Sequence, residues 1–192
     1  MAKNARYRVP YRRRREGKTN YHLRLRLVKS ATTRAVVRVS NSHSLVQFVD
    51  AHINGDQTRC AAHTRELKKF DWSITTSNIP SAYLVGYLAG KKAIKKGISK
   101  AILDIGINPP IYGSRVFAVL KGIVDAGVEI PHSDKIFPSK ERLNGVHIAE
   151  YAKKLKGEDE NLYKQYYSGY ISQNINPVDL PKLFEKTKNQ IT

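Results

Sequence analysis

The pattern of apolar and polar residues predicts a block of strands early in the chain. Ala35-Val36-Val37-Arg38-Val39 is β-branched, and Leu45-Val46-Gln47-Phe48-Val49 has the pattern of a partner strand after a polar turn at 40–44. Asn54-Gly55-Asp56 is a tight-turn signal, so residues 57–62 are expected to form a third strand. The pattern therefore predicts three antiparallel strands in succession.

Helical spacing of apolar residues begins near Pro80 and ends at Gly97. A short apolar run at 101–105 predicts a further strand, and its entry from a helix favours a parallel or mixed sheet. Ser114 is the expected cap of a second helix, which should end at Gly127. The order β-β-β-α-β-α predicts an α/β fold: a mixed sheet of three antiparallel strands plus a further strand, with helices packed on it.

The amino end is harder to assign. Pro10 and a run of arginines predict an extended segment at 1–16. From Thr19, a plausible helix cap, two patterns compete. Leucines at 23, 25 and 27 alternate with arginines as in a strand, whereas the spacing of Tyr21, Leu25 and Val28 suits a helix. In either case Arg24 and Arg26 are expected to project away from the leucines.

The carboxyl end has a different character. Residues 139–156 and 179–188 are compatible with helices, and the segment 158–170 between them is polar and rich in tyrosine. No second core large enough to stand alone is apparent, so this tail is expected to wrap a partner or the body of the protein. The predicted organisation is a basic arm and helix at 1–30, an α/β core domain at 31–137 and a helical extension at 138–192.

The distribution of charge along the chain indicates the class of partner that the protein binds. The 192 residues carry a formal net charge of +18 with a pI near 10.0, which indicates a polyanionic partner. Residues 1–30 hold 11 basic side chains and one acid, Glu16, and four of the basic residues are consecutive arginines. Such a run is favourable mainly against a dense anion. Tyrosines at 7, 11 and 21 add stacking surfaces that suit RNA.

Several other classes of protein fit the sequence poorly. No apolar run approaches the roughly 20 residues of a membrane-spanning helix, and no signal-peptide core follows the basic start. The single cysteine, Cys60, cannot form an internal disulfide, which fits a reducing cytosol. A structural zinc site is not expected, so Cys60 and His63 are interpreted as ordinary residues on or beside a strand. No cofactor and no membrane partner are expected.

An enzyme remains an alternative because some basic α/β proteins are metal-dependent nucleases. The candidate metal ligands are Asp50, Asp104, Asp125 and Glu129, but no two of them have metal-ligand spacing within one element. Asp104 stands out, since an acid within an apolar strand is costly unless it is paired or used.

Two further features each have two interpretations. The loop 106–114 lacks the known phosphate-binding patterns, yet it leads into a helix amino terminus with Arg115 beside it, so it is either a phosphate site or a plain connection. The lysines at 91, 92, 95 and 96 either bind nucleic acid or simply stabilise a helix end.

Specific motifs add a resemblance to a known family. Tyr-Arg-Val-Pro-Tyr-Arg-Arg-Arg-Arg-Glu-Gly-Lys-Thr-Asn-Tyr at 7–21, with Arg-Leu-Arg-Leu at 24–27, closely resembles the amino end of ribosomal large-subunit protein eighteen in universal naming, called protein five in eukaryotes. Further agreement occurs, in order, at Val39-Ser40-Asn41-Ser42-His43, Pro80-Ser81-Ala82-Tyr83-Leu84, Leu103-Asp104-Ile105-Gly106, Gly113-Ser114-Arg115-Val116-Phe117-Ala118 and His147-Ile148-Ala149-Glu150-Tyr151. The length and the extension from 139 resemble the archaeal and eukaryotic branch.

This resemblance implies a helix for the leucine-arginine stretch and a non-catalytic role. It implies binding to 5S rRNA, anchoring of that RNA in the central protuberance, and contacts with large-subunit rRNA and neighbouring ribosomal proteins, including universal large-subunit protein five. The implied location is the large subunit of the cytoplasmic ribosome. Two other functions stay open: a basic metal-dependent enzyme that processes RNA or DNA, and a generic nucleic-acid packaging protein.

The residues expected to bind RNA share positive charge, an aromatic ring or a place in the polar turn after the first strand. They are Arg6, Arg8, Tyr11, Arg12, Arg13, Arg14, Arg15, Lys18, Tyr21, Arg24, Arg26, Lys29, Arg38, Ser40, Asn41, His43 and Arg115.

Overall fold

A mixed four-stranded sheet forms the centre of the fold in this computed structural model, which describes residues 4–191. The strands are β1 (Arg34–Val39), β2 (Ser44–His52), β3 (Gly55–His63) and β4 (Ile102–Asp104), in the spatial order β3-β2-β1-β4. Strands β1, β2 and β3 are antiparallel neighbours, and β4 pairs parallel to β1. The predicted fold class is confirmed.

Two helices cover one face of the sheet. Helix α3 (Ile79–Lys95) begins at Asn78, whose side chain accepts from the amide of Ser81, and α4 (Arg115–Asp125) begins after Ser114. The sheet face below them is lined by fully buried apolar side chains at Ala35, Val37, Val46 and Phe48. The two helices cross closely because glycines stand at their contact: a Cβ at Gly86 would collide with the carbonyl oxygen of Val119.

The amino-terminal helices are α1 (Arg12–Arg15) and α2 (Tyr21–Lys29). The alternation of side chains along β1 places Arg34, Val36 and Arg38 on the face opposite to Ala35 and Val37. Leucines of α2 line a crevice with Arg38. The sheet therefore lies between α2 on one side and α3 with α4 on the other.

The tail is helical and packs against the body. It comprises α5 (Lys140–Asn144), α6 (Val146–Glu158), α7 (Glu160–Tyr166), α8 (Ser168–Ile171) and α9 (Leu180–Ile191). Phe184 of α9 is buried against Tyr83 of α3, with ring centroids 5.4 Å apart. Buried residues of the tail join the same hydrophobic cluster as the sheet and α3.

The expectation of one helix over 139–156 was wrong in its middle. Gly145 has φ of +78° and ends α5, and its missing Cβ leaves room for Leu180, whose Cδ2 would otherwise be 2.7 Å away. The helix expected over 179–188 is present as α9. Within residues 4–191, no helix is long and apolar enough to cross a membrane. Residues 1–3 and 192, at the outer ends of the predicted arm and extension, lie outside the described residues.

Strand β3 is an edge of the sheet, and lysines in the last turn of α3 and just after it cover part of this edge. Lys92 Nζ donates to the carbonyl oxygen of Ala61 and forms an ion pair with Glu66. Lys96 Nζ donates to the carbonyl oxygen of Arg59. These two members of the lysine group therefore satisfy backbone acceptors of the sheet edge.

Candidate nucleic-acid interface

The arginine run forms one exposed helical turn. Helix α1 contains only Arg12–Arg15, and none of the four side chains is buried. The expectation that residues 1–16 are extended was therefore wrong at these four positions and, among the described residues, also at the turn in which Tyr7 donates its amide to Asn4. Glu16 lies 2.9 Å from Lys18 Nζ and 3.8 Å from Arg12 Nε, so this carboxylate pairs with two cations. The turn presents a concentrated positive surface to solvent, as do Arg6 and Arg8 before it.

Helix α2 confirms the helical interpretation of the leucine-arginine stretch. Its cap is Asn20, whose Oδ1 accepts from the amide of Leu23 at 3.2 Å, so the expectation of Thr19 as cap was wrong. Thr19 Oγ1 instead accepts from Arg13 Nε at 2.9 Å. This bond ties α1 to the start of α2.

Arg24 and Arg26 lie on different sides of α2, because side chains two positions apart in a helix are rotated by about 200° around its axis. Arg24 faces the sheet and donates to Asp56 Oδ2 at 2.8 Å, whereas Arg26 and Lys29 face solvent. Leu25 is 55% exposed. The expectation that both arginines project away from the leucines was therefore wrong for Arg24.

Tyr11 and Tyr21 contact each other, with ring centroids 5.1 Å apart and an interplanar angle of 49°. Tyr11 is 73% exposed, which leaves most of its ring accessible, and Tyr21 is half-buried. An accessible ring beside four arginines is the composition of a stacking platform for unpaired bases.

An ion-pair network fixes α2 to the sheet. Arg34 lies on β1 with only 2% of its side chain exposed, and it donates to Asp56 at 2.7 Å and to Asp104 at 2.9 Å. Asp56 also binds Arg24, and Asp104 also binds Arg38 at 3.1 Å. Burial raises the pKa of Asp56, but the hydrogen bonds from Arg24 and Arg34 outweigh burial and hold that pKa below 3.8. Three arginines and two carboxylates thus leave one positive charge unbalanced.

The polar turn after β1 is held together by its own residues. Ser40 donates its amide to the carbonyl of His43 at 2.8 Å, and Ser40 Oγ accepts from the amide of His43. Arg115 donates to the carbonyl oxygens of Ser40 and Ser77, so its guanidinium braces this turn against the start of α3. Asn41, at the tip, is exposed.

His43 belongs to a cluster that the sequence did not predict. Its Nε2 accepts from Arg65 Nε at 3.3 Å, and its ring lies 4.9 Å from that of His63. Burial lowers the pKa of His63, and repulsion from His43 and Arg65 lowers it further. Arg65 and Lys68 line a crevice of about 410 Å³ with His43 and with Gln173 of the tail segment. These two basic residues carried no distinguishing motif in the sequence.

The candidate metal ligands are all engaged in other contacts. Asp104 is buried between Arg34 and Arg38, Asp50 pairs with Arg59, Asp125 accepts from the hydroxyl of Tyr83, and Glu129 pairs with Lys100. No group of three metal-binding side chains occurs within residues 4–191. Cys60 is buried in β3 and His63 ends that strand, as expected.

Two amides of the loop 106–114 donate to backbone carbonyls of the protein. Gly113 donates to Ile136 and Ser114 donates to Ile111. Ser114 occupies the cap position of α4, but its hydroxyl makes no capping bond. The amides of Gly113 and Ser114 are thus already bonded within the protein, which favours the interpretation as a plain connection.

Comparison with known proteins identifies the family of this chain. The model of the family described as ribosomal large-subunit proteins 60S L5 and 50S L18 matches residues 5–99 and 95–133. Large ribosomal subunit protein uL18 of Aeropyrum pernix is 53% identical over 192 residues, which cover 100% of this chain and 90% of that relative. This chain therefore belongs to the family of ribosomal large-subunit proteins that comprises 60S L5 and 50S L18.

Proposed function

We propose that this chain is a structural, non-catalytic component of the large subunit that binds 5S rRNA and anchors it in the central protuberance. The single observation that carries the proposal is the arm: α2 is bonded to the sheet through Arg24 and Asp56 of the ion-pair network, and the exposed arginine turn is bonded to Thr19 at the start of α2. Such an arm holds many cations on a defined frame, so RNA phosphates are met by a preformed surface.

The residues proposed to serve RNA binding fall into two groups, one that contacts RNA directly and one that holds the contacting surface in place. The first neutralises phosphates or stacks on bases from the arm, and comprises Arg6, Arg8, Tyr11, Arg12, Arg13, Arg14, Arg15, Lys18, Tyr21, Arg26 and Lys29. The second holds that surface in place through bonds to the protein, and comprises Arg24, Arg38, Ser40, His43 and Arg115. Asn41 is exposed at the tip of the polar turn and is proposed to bond a sugar or phosphate. We propose residues 1–30 as the arm, 31–137 as the core domain and 138–192 as the extension.

The proposed partners are 5S rRNA, large-subunit rRNA and neighbouring ribosomal proteins that include universal large-subunit protein five. The extension packs on α3, which supports a role in shaping the body for such neighbours. Recognition is proposed to rest on RNA shape and unpaired loops, because the deep major groove of an A-form duplex is closed to side chains.

Competition binding tests the proposal. Labelled 5S rRNA from the source organism is bound to the full chain at near-physiological salt and challenged with excess tRNA or with excess unlabelled 5S rRNA. Retention against tRNA and loss against unlabelled 5S rRNA support the proposed function. Equal displacement by both contradicts recognition by this chain alone. Repeating the assay with universal large-subunit protein five added then shows whether that neighbour restores selectivity.

A further inference from the structure

A crevice of about 370 Å³ opens between α2 and the sheet, and we call it the arm crevice. Leu23 and Leu27 line it from the helix, and Arg38 and Asp104 line it from the sheet. Its size falls within the range of roughly 300–1,000 Å³ that is usual for pockets that hold small molecules. The arm crevice is therefore large enough for one planar group, such as a single base, and too small for a duplex.

The guanidinium of Arg38 is a fixed plane in this crevice. It donates to the carbonyl oxygens of Val37 and Asp104 at 2.8 Å each and to Asp104 Oδ1 at 3.1 Å. Gly106 makes this position possible, because a Cβ there would lie 2.8 Å from Arg38 Cζ. A guanidinium held in this way is a ready stacking surface for a base.

Two cations complete the crevice. Arg13 and Lys18 line it and are both exposed. Lys18 is paired with Glu16, and Arg13 bonds Thr19 through Nε alone. Among the described residues, the terminal nitrogens of Arg13 have no carboxylate partner, so they are available to a phosphate.

We propose that the arm crevice binds a single unpaired nucleotide of the RNA. Its base lies between Leu23 or Leu27 and the guanidinium plane of Arg38, and its phosphate lies against Arg13. A base inside a helix is stacked on both faces, so the nucleotide must come from a loop or a bulge. The inference rests on the proposed function only in taking RNA as the ligand, and it adds a site that reads a splayed base.

Filling the crevice tests the proposal. Leu27→Trp places an indole in the arm crevice, whereas Leu25→Trp adds the same group to an exposed position of the same helix. Base-specific chemical probing and affinity are measured with the full chain on 5S rRNA and on tRNA. We expect the wild-type chain to protect an unpaired base that Leu27→Trp leaves reactive, with roughly tenfold weaker binding, while Leu25→Trp behaves as wild type.

Each outcome of this experiment is decisive. The proposal is overturned if the wild-type complex protects no unpaired base, or if Leu27→Trp protects the same bases as wild type. Leu23→Trp, which fills the crevice one helical turn earlier, replaces Leu27→Trp if circular dichroism shows that the latter is unfolded. The nucleotide site can be tested even if the chain does not prefer 5S rRNA, because bases are probed on whichever RNA the wild-type chain retains. A wild-type chain that retains neither RNA contradicts both the nucleotide site and the proposed function.

Discussion

Arg34 and Asp104 form an ion pair of 2.9 Å inside the sheet, between parallel neighbours β1 and β4 and with both side chains almost fully buried. The pair is separated by 70 residues in the chain. Because each partner also binds a charge nearer the surface, the pair links the core of the sheet to the arm helix.

Removing the carboxylate of this pair is expected to destabilise the fold strongly. Asp104→Ala leaves the buried Arg34 with only Asp56 as partner, and such a loss costs about 3–5 kcal/mol. Glu129→Ala is the matched control, because Glu129 and Lys100 are both largely exposed and such pairs contribute about 0–1 kcal/mol. Urea denaturation measures both free energies of unfolding. Similar losses in the two variants would show that burial of the first pair is unimportant.

Neutralising the arginine turn is expected to change the salt dependence of RNA binding. Changing Arg12–Arg15 to Gln removes up to four cations that face phosphates, so the slope of log K against log salt should fall by about 0.7–0.9 for each phosphate that is no longer neutralised. The control changes four exposed tail cations to Gln, with the same change in net charge: Arg142, Lys153, Lys154 and Lys182. Filter binding across a salt series measures the slopes. An unchanged slope in the arm variant would exclude the arm from the RNA interface.

Asp56 is expected to make stability depend on pH in the acid range. Its folded pKa lies below the unfolded value of 3.8, so its stabilising effect is complete above that value and is lost as pH falls through the folded pKa. Asp56→Asn should therefore be less stable than wild type at pH 6, and the gap should close below pH 3.8. Denaturation at a series of pH values measures the gap. Asp134→Asn, at a side chain that is 97% exposed, should show little difference at any pH.

At the glycine contact between α3 and α4, replacing glycine by alanine is expected to destabilise the protein, although helix propensity alone predicts stabilisation. Alanine is the better helix former by about 1 kcal/mol, yet Gly86→Ala should destabilise the protein by about 1–3 kcal/mol because its Cβ meets the carbonyl of Val119. Gly157→Ala, in α6 with no atom near the added Cβ, should be neutral or stabilising. Thermal unfolding of both variants checks the sign. A stabilised Gly86→Ala would mean that the helices can separate at little cost.

The sequence predicted elements whose signals are local. The strands and the two core helices follow from β-branched runs, turn residues and apolar spacing that each lie within one segment. Helix α2 (Tyr21–Lys29) is the exception, because its local pattern fitted a strand as well as a helix. The break at Gly145 was missed because the apolar positions on both sides keep nearly the same helical phase. The Leu180 side chain that fills the space beside Gly145 is 35 residues away, so no local pattern announces it.

The candidate site was predictable as a region but not as a geometry. Charge density identified the arm, because the excess of arginine is itself local. The bonds of Arg24 to Asp56 and of Arg115 to Ser40 join residues 32 and 75 positions apart, and they turn two expected RNA contacts into braces. Arg65 lies beside His43 because β2 pairs with β3, and residue composition does not show which strands pair.

The lysines that cover strand β3 also affect how readily free copies of the chain can pair through this strand. An open strand edge is a template on which a second copy can add its own strand, and a highly charged chain alone does not remove that hazard. Here Lys92 and Lys96 occupy the carbonyls of Ala61 and Arg59, so an incoming strand would have to displace two ammonium donors. These two lysines are therefore expected to hinder pairing between copies of the chain through the edge of β3.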